Sequence, residues 1–194
     1  MVKYVEVRRH AMRHKHLQGK ISKHLSKEGI ELARKVGAGF THPDDEKLTK
    51  TAPFKGVWTS QKSRAIETSL CMGFEVDVLD KRLACFPEDI FIKSRWPKPV
   101  KAMLKACHKH TDVDRYARAQ TMILHEIADD IEDGQSALVI SHGGIMELML
   151  LGLILDEPKP ELQAKNLGNV FAYCEGFRVT FENDAACDIK IIRI

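Results

Sequence analysis

The chain has 194 residues, of which 44% are hydrophobic and 29% charged, and its formal net charge is +3. These values are typical of a globular protein and predict one domain, residues 1–194, with a sizeable core. The mild positive charge is too weak to predict a nucleic-acid partner, but it suits an anionic ligand.

The five cysteines are odd in number and widely spaced. This indicates reduced thiols, predicts a cytoplasmic location and argues against a disulfide framework or a zinc site. The longest apolar stretch, 148–155, is too short to span a membrane.

The first predicted element is a short strand that ends in charged residues. Residues 4–7 are rich in β-formers and run directly into Arg8, Arg9 and His10, which predicts a histidine delivered among cations at a strand end. Ligands of open α/β sheets bind at the carboxyl ends of strands. Nearby positive charge favours neutral imidazole, which is a nucleophile, and guanidinium groups bind phosphate bidentately. The stretch suggests attack on phosphorus by His10, and the alternative is a strand end with solvated basic residues.

The next segments alternate between connections and short elements. Residues 11–24 are basic and polar and predict a loop, and Ser26 is typical of an N-cap for a helix that ends at Gly37 and Gly39. Residues 41–53 predict a surface connection. A second strand is predicted over 57–60, a helix over 64–72 and a third strand over 76–79. The candidate inward positions of that helix are Ala65, Thr68, Leu70 and Met72.

The second half begins with an irregular excursion. Residues 80–100 contain three prolines and several large apolar residues; we expect this excursion, about 80–112 with its following helix, to lie over the ligand side of the sheet. Helices are predicted over 100–110 and 113–132, with Ala117, Ala119, Met122, Ile123, Ile127 and Ile131 facing inward. Residues 137–141 predict a buried strand, and 145–155 an apolar helix. The tail predicts edge strands over 170–173, 177–181 and 189–194.

Three of the predicted strands end in residues suited to an anion. The first strand leads into Arg9 and His10. The second strand ends at Ser60, and Arg64 comes one helical turn later. The fourth strand is followed by His142. If the sheet is parallel, these ends lie on one edge. The helices that begin after Ser60 and His142 would also point their N-termini there, and helix N-termini favour phosphate.

These residues resemble the histidine phosphatase superfamily, which includes the cofactor-dependent phosphoglycerate mutases. Arg9-His10-Ala11 is similar to its Arg-His-Gly signature, and residues 25–29 to its Leu-Thr-x-x-Gly helix. Residues 60–68 resemble its Ser-x-x-x-Arg-Ala-x-x-Thr segment, and residues 141–144 its Ser-His-Gly-Gly segment. The resemblance covers roughly residues 4–150, in the same order and spacing. It implies an α/β three-layer sandwich, phosphoglycerate mutase-like, with a mostly parallel central sheet flanked by helices.

The resemblance also implies a two-step phosphoryl transfer without metal or cofactor. His10 would attack phosphorus and become phosphohistidine, while Arg9, Arg64 and His142 hold the phosphoryl oxygens. Such chemistry depends mainly on positioning and positive charge. Two further residues, Ser60 and Gly143, are assigned to substrate binding on the same resemblance.

The chain departs from the family pattern in three places. Ala11 replaces the usual glycine, and its methyl group could crowd the backbone near the phosphate. Arg13 resembles the Arg-His-Gly-x-Arg pattern of the acid phosphatase branch, which makes it a candidate phosphate ligand; a solvated loop arginine is the equal alternative. Cys85 stands where mutase-like members carry a glutamate. We therefore predict Glu88 as the general acid, with Asp89 as the second candidate and a surface acidic pair as the alternative.

The favoured function is that of a metal-independent phosphatase acting on a phosphorylated small molecule or a phosphoprotein, with no nucleic-acid or membrane partner. A mutase that returns the phosphoryl group to another oxygen is the enzymatic alternative. The absent mutase-like glutamate and the short excursion favour hydrolysis, because water reaches a less covered site more easily. The third possibility is a regulatory protein that binds phosphate with little or no turnover. The sequence leaves the oligomeric state open.

Overall fold

The computed structural model describes residues 2–15, 21–40 and 53–194, and these residues contain eight strands and seven helices. The strands are β1 (Val2–Arg9), β2 (Arg13–Lys15), β3 (Ile21–Leu25), β4 (Gly56–Thr59), β5 (Val78–Leu79), β6 (Ser136–Ser141), β7 (Gly176–Glu182) and β8 (Ala185–Ile192). The helices are α1 (Lys27–Gly37), α2 (Ser63–Cys71), α3 (Glu88–Ser94), α4 (Val100–Lys109), α5 (Thr111–Asp129), α6 (Ile145–Ile154) and α7 (Pro160–Leu167). A 3₁₀ turn covers Lys81–Ala84. Within these described ranges, no helix has the length and apolar character needed to cross a membrane.

Six strands form the central sheet in the order β5-β4-β6-β1-β7-β8. The four strands β5, β4, β6 and β1 pair in parallel, whereas β7 and β8 add an antiparallel edge. Arg9 lies opposite Ser141, and Thr59 opposite Ile140, so β1, β4 and β6 end at one edge of the sheet. The predicted sandwich with a mostly parallel central sheet is confirmed.

The core follows from the alternation of side chains along the central strands. Val7 and Val139 belong to a buried cluster that includes residues of α5 and α6. Leu138 and Ile140 belong to a second cluster on the opposite face, with residues of α1 and α2. Each fully buried aliphatic side chain contributes roughly 1.5–3 kcal/mol, so both helical layers hold the sheet in place.

A buried ion-pair cluster joins β1 to the antiparallel edge. Glu6 is completely buried, and its carboxylate accepts hydrogen bonds from Arg8 Nε at 2.6 Å and from Arg178 Nη2 at 2.6 Å. Arg8 also donates to the backbone oxygen of Cys174 at 2.9 Å. Arg8, although adjacent to Arg9 in sequence, is therefore committed to structural contacts inside the sandwich.

Prolines account for most differences from the predicted secondary structure. The segment 80–100, predicted to be irregular, contains the helix α3 and the start of α4. Pro87 and Pro99 lie at the N-caps of these helices, where a missing N–H costs nothing. Pro160 begins α7, which the sequence did not predict.

Other corrections concern short segments. Residues 13–15 and 21–25 pair as a two-stranded ribbon within the predicted loop 11–24. Residues 170–172 have no regular secondary structure and Tyr173 begins a turn, so the predicted strand over 170–173 is wrong. Leu70 and Met122, predicted to face inward, are 54% and 55% exposed, and Ala119 is exposed as well. Residues 41–52 of the predicted surface connection lie outside the described residues.

Candidate active site

The parallel strand ends bring the predicted site residues together. The backbone N–H of His10 donates to Ser141 O at 3.0 Å, and that of Ser60 donates to Ile140 O at 3.2 Å. These bonds continue the ladders one residue beyond the strands. The imidazole rings of His10 and His142 consequently lie 5.0 Å apart between centroids.

His10 is buried, oriented and neutral. The residue is only 4% exposed, and its Nδ1 donates a hydrogen bond to the backbone oxygen of Ala11 at 2.7 Å. The lone pair is therefore on Nε2, to which Arg64 Nε donates at 3.1 Å. Burial lowers the pKa of His10 to about 3, with the charges of Arg64, Arg9 and Arg13 acting in the same direction and the Ala11 carbonyl against it. The nucleophilic form of the ring is thus the form that the fold favours.

His142 faces the same space with a second oriented ring. Ser60 Oγ lies 2.6 Å from His142 Nε2 and also accepts the backbone N–H of Lys62 at 3.3 Å. In the tautomer with the ring proton on Nδ1, the serine hydroxyl donates to Nε2. This Nδ1 is buried and has no hydrogen-bond partner among the described residues. Burial, followed by the charge of Arg64, lowers the pKa of His142 to about 2.

Arg9 lies between aromatic rings. Its Nη1 donates to the backbone oxygen of Phe171 at 2.7 Å, and its guanidinium carbon is 4.6 Å from the ring centre of Tyr173 and 5.8 Å from that of Trp96. Such stacking fixes a guanidinium while leaving its edges free. Within the described residues, the buried Nε of Arg9 lacks a hydrogen-bond partner, so one donor of this guanidinium is unsatisfied.

Arg13 and Arg64 complete a cationic cluster. Arg13 is half-buried, and its Nε has no partner in the part of the chain that the structure describes. Burial, together with the neighbouring charges of Arg13 and Arg9, lowers the pKa of Arg64 to about 10. The positive charges of these guanidinium groups repel one another, so an anion bound between them is stabilising. The structure places Arg13 with this cluster and not in a solvated loop.

Thr68 links the end of β1 to α2. Its Oγ1 accepts the backbone N–H of Ala11 at 2.9 Å and donates to the backbone oxygen of Arg64 at 2.6 Å. The Ala11 side chain is fully buried in the hydrophobic cluster on the α1 and α2 face. The methyl group that replaces the usual glycine is therefore accommodated by the core.

The excursion covers the turn that follows His142. A Cβ on Gly143 would lie 2.9 Å from Trp96 Cζ2, and one on Gly144 would lie 2.1 Å from the Phe86 ring. Gly144 also has a φ of +90°, which favours glycine. Two aromatic residues of the segment 80–112 thus lie directly over Gly143 and Gly144.

The N-terminus of α6 is capped by a side chain of the same helix. The backbone N–H of Gly144 donates to Glu147 Oε2 at 2.5 Å. This amide is therefore occupied by a side chain of its own helix, and the predicted phosphate-binding role of the helix N-terminus would fall to its other amides. A glutamate three residues after the cap is the pattern of a capping box, and this pattern could have indicated the contact.

The predicted acids lie at the surface of the excursion. Glu88 and Asp89 are exposed in the first turn of α3, and Asp89 Oδ2 is 3.9 Å from Lys93 Nζ. Among the described residues no hydrogen bond or ion pair joins Glu88 to His10 or His142. Glu88 lies two residues from Phe86, which covers Gly144.

Two aromatic residues of the site had not been predicted. Tyr173, whose ring centre is 5.8 Å from that of His10, is the last residue of the predicted strand 170–173. Trp96 was expected only as part of the excursion. Within residues 2–15, 21–40 and 53–194, no group of three or more His, Cys, Asp or Glu side chains is arranged to hold a metal ion.

No protein-family model matches the sequence, and no curated protein matches it either. Solved structures, in contrast, match the chain over nearly its whole length. The chain is similar to a phosphoserine phosphatase from Entamoeba histolytica in complex with 3-phosphoglyceric acid (TM-score 0.61, 16% identity, 99% of this chain and 98% of that chain). It is also similar to phosphoglycerate mutase from Bacillus anthracis (TM-score 0.57, 15% identity, 100% and 92%) and to a mycobacterial glucosyl-3-phosphoglycerate phosphatase (TM-score 0.55, 12% identity, 98% and 97%). The predicted resemblance to the histidine phosphatase superfamily is confirmed at the level of the fold.

Proposed function

We propose that the chain is a phosphatase that hydrolyses phosphomonoesters through a phosphohistidine formed on His10. The observation that carries the proposal is the state of that side chain: buried, neutral, fixed through Nδ1, and presenting Nε2 to Arg64 at 3.1 Å. A nucleophile surrounded by guanidinium groups matches what phosphoryl transfer requires, namely positioning and positive charge around the phosphoryl oxygens.

The reaction has two steps. In the first, the Nε2 lone pair of His10 attacks phosphorus, the bond from phosphorus to the ester oxygen breaks, and the departing alcohol takes a proton. In the second, water attacks the phosphohistidine, the N–P bond breaks, and inorganic phosphate leaves. A covalent intermediate of this kind divides one difficult step into two easier ones.

The remaining residues take supporting roles in this proposal. Arg9, Arg13 and Arg64 bind the phosphoryl oxygens, and His142 donates to them from Nδ1, with Ser60 holding the other nitrogen of that ring. Gly143 is a proposed substrate-binding residue whose lack of a side chain lets Arg9 and Trp96 lie close to its backbone, because a Cβ there would be 3.2 Å from Arg9 Nε. Glu88 is the proposed proton donor to the leaving alcohol, and Asp89 is the second candidate.

Hydrolysis is favoured over mutase chemistry by the sequence of the excursion. Cys85 takes the place of the mutase-like glutamate, and its side chain is exposed. Both phosphatases and a mutase occur among the similar structures, so the fold supports phosphoryl transfer in general. The substrate class we propose is a phosphorylated small molecule or a phosphoprotein side chain.

The test is turnover of p-nitrophenyl phosphate by protein treated with a chelator, between pH 5 and 7.5. Wild type should release nitrophenol, and His10→Ala should lose at least about a thousandfold in kcat, as expected when a nucleophile is removed. His108→Ala, which removes an exposed histidine of α4, should keep wild-type activity. Turnover that survives in His10→Ala would contradict the proposal; phosphate binding without turnover by wild type would favour a regulatory binding protein.

A further inference from the structure

Glu147 is a buried acid behind the candidate site. It is 0% exposed and is the one charged residue of α6, whose other residues are apolar or glycine. Burial of a carboxylate is costly unless hydrogen bonds or a charge compensate it. Burial also raises the pKa of Glu147. Its contacts must therefore offset a substantial penalty.

Both carboxylate oxygens accept backbone N–H groups. Oε2 accepts from Gly144 at 2.5 Å, and Oε1 accepts from Phe171 at 2.9 Å. Phe171 belongs to the turn that precedes β7, so Glu147 ties the start of α6 to that turn. Neither oxygen needs a proton of its own to make these bonds.

The second bond leads directly to the arginine next to the nucleophile. The carbonyl oxygen of Phe171, the residue whose N–H binds Glu147, accepts Arg9 Nη1 at 2.7 Å. Arg9 is also the side-chain charge that acts on the Glu147 carboxyl. Glu147 and Arg9 therefore bind the two peptide groups on either side of the Phe171 Cα, and the N–H of the second group, that of Ala172, donates to Glu175 Oε2 at 2.8 Å.

We propose that Glu147 is a positioning residue, which anchors the backbone of Phe171 through its N–H and thereby keeps the Phe171 carbonyl where it holds the guanidinium of Arg9 in the orientation that a phosphoryl group needs. This role rests on the proposed function. The Gly144 amide is bound to Glu147, so Arg9 and His142 Nδ1 are the proposed donors to the phosphate on this side of the site. A small displacement of such a donor is expensive in rate, since about 1 Å of misplacement can cost a hundredfold.

The test is a double-mutant cycle on Glu147 and Arg9. Glu147→Gln keeps the shape but turns one accepting oxygen into an N–H₂ group that faces an N–H donor. Alone, it should lower kcat for p-nitrophenyl phosphate by about tenfold to a hundredfold and weaken the binding of inorganic phosphate measured by calorimetry. In an Arg9→Ala background, the same substitution should change kcat by less than about twofold, because its effect passes through Arg9.

Thr121→Val is the matched control. Thr121 Oγ1 donates to the backbone oxygen of Met149 at 2.6 Å, so its loss also removes a buried hydrogen bond to α6. We expect this variant to melt at a lower temperature with kcat unchanged. A purely structural role for Glu147 would give the same pattern as Thr121→Val.

The outcomes separate the role of Glu147 from the proposed function. Equal losses of kcat by Glu147→Gln in both backgrounds, or no loss in either, would overturn the positioning role while leaving the phosphatase proposal in place. Wild type that neither turns over substrate nor binds phosphate would overturn both. If Glu147→Gln does not fold, Glu147→Asp, which keeps the charge but shortens the reach to Phe171, is measured in the same cycle with the same expectations.

Discussion

Arg64 Nε donates a hydrogen bond of 3.1 Å to His10 Nε2, the atom that would attack phosphorus. The proposed nucleophile is therefore covered, in the free protein, by one of the proposed substrate-binding groups. An arriving phosphoryl group offers Arg64 charged oxygens in exchange for a neutral nitrogen, and charge-assisted hydrogen bonds are the stronger ones. Substrate binding should itself release the lone pair of His10.

Loss of the Arg64 guanidinium should be costly in rate. We expect Arg64→Ala to lower kcat by about a hundredfold or more, because one fixed donor to the developing charge is removed. Arg64→Lys should restore only part of the rate, since an ammonium group cannot bind two oxygens as a planar fork does. The measurement is steady-state hydrolysis of p-nitrophenyl phosphate, with Arg118→Ala on α5 as the distant arginine control. Equal rates for wild type and Arg64→Ala would remove this residue from the site.

Stability should fall on acidification over the range set by the two site histidines. The pKa of His10 is lowered to about 3 and that of His142 to about 2, against 6.5 for an ordinary histidine. Below pH 6.5 the unfolded chain binds these protons and the native state does not. The free energy of unfolding therefore decreases as pH falls through this window, by up to about 1.4 kcal/mol per pH unit for each histidine.

Urea unfolding between pH 4 and 7 checks this expectation. The free energy of unfolding should depend on pH more steeply in wild type than in a His10→Gln/His142→Gln variant. The difference in slope should correspond to the uptake of up to about two protons on unfolding. Parallel curves for the two proteins would show that these histidines titrate alike in the folded and unfolded states.

The role of Glu88 should depend on the leaving group. An alkyl alcohol leaves with difficulty unless it is protonated, whereas nitrophenolate needs little help. We expect Glu88→Gln to lower kcat for glycerol phosphate by about a hundredfold while changing that for p-nitrophenyl phosphate much less. Asp89→Asn, at the neighbouring exposed position, serves as the control. If Asp89→Asn shows the selective loss instead, the proton donor is Asp89; a loss in neither variant would mean that neither acid protonates the alcohol.

The buried Glu6 should matter for stability and not for phosphate binding. Glu6→Gln leaves Arg8 and Arg178 without their shared carboxylate, and breaking a buried ion pair in this way costs about 3–5 kcal/mol. The exposed ion pair of Arg82 with Glu126 provides the comparison, because Arg82→Ala should cost less than about 1 kcal/mol. Chemical unfolding measures both, and calorimetry with inorganic phosphate should give similar affinities for both variants.

The sequence was sufficient to predict which side chains meet at the sheet edge. His10, Ser60, Arg64 and His142 follow strands or begin helices, and parallel pairing alone brings such positions together. Their order along the chain also carried the family resemblance. The cap at Ser26 was equally predictable, and its Oγ accepts the Gly29 N–H at 3.1 Å, because capping depends on local residues only.

Contacts between distant segments could not be predicted in the same way. Tyr173 lies beside His10 because the turn before β7 folds back across the end of β1, and no local pattern encodes that approach. The helices α3 and α7 were missed because prolines interrupt helices internally but are tolerated at their first positions. The position of Glu147, three residues after Gly144, is typical of a capping box. This pattern was not recognised because the rest of the helix is apolar.

The aromatic neighbours of Arg9 give the protein an optical signal of its own. The chain contains two tryptophans, Trp58 and Trp96. Trp58 is buried in the core, whereas the Trp96 ring centre lies 5.8 Å from the Arg9 guanidinium carbon. An anion that draws on Arg9 alters the electric field across the Trp96 indole, so its fluorescence emission should change with occupancy of the site. Ligands that are not hydrolysed can therefore be ranked by titration without a label.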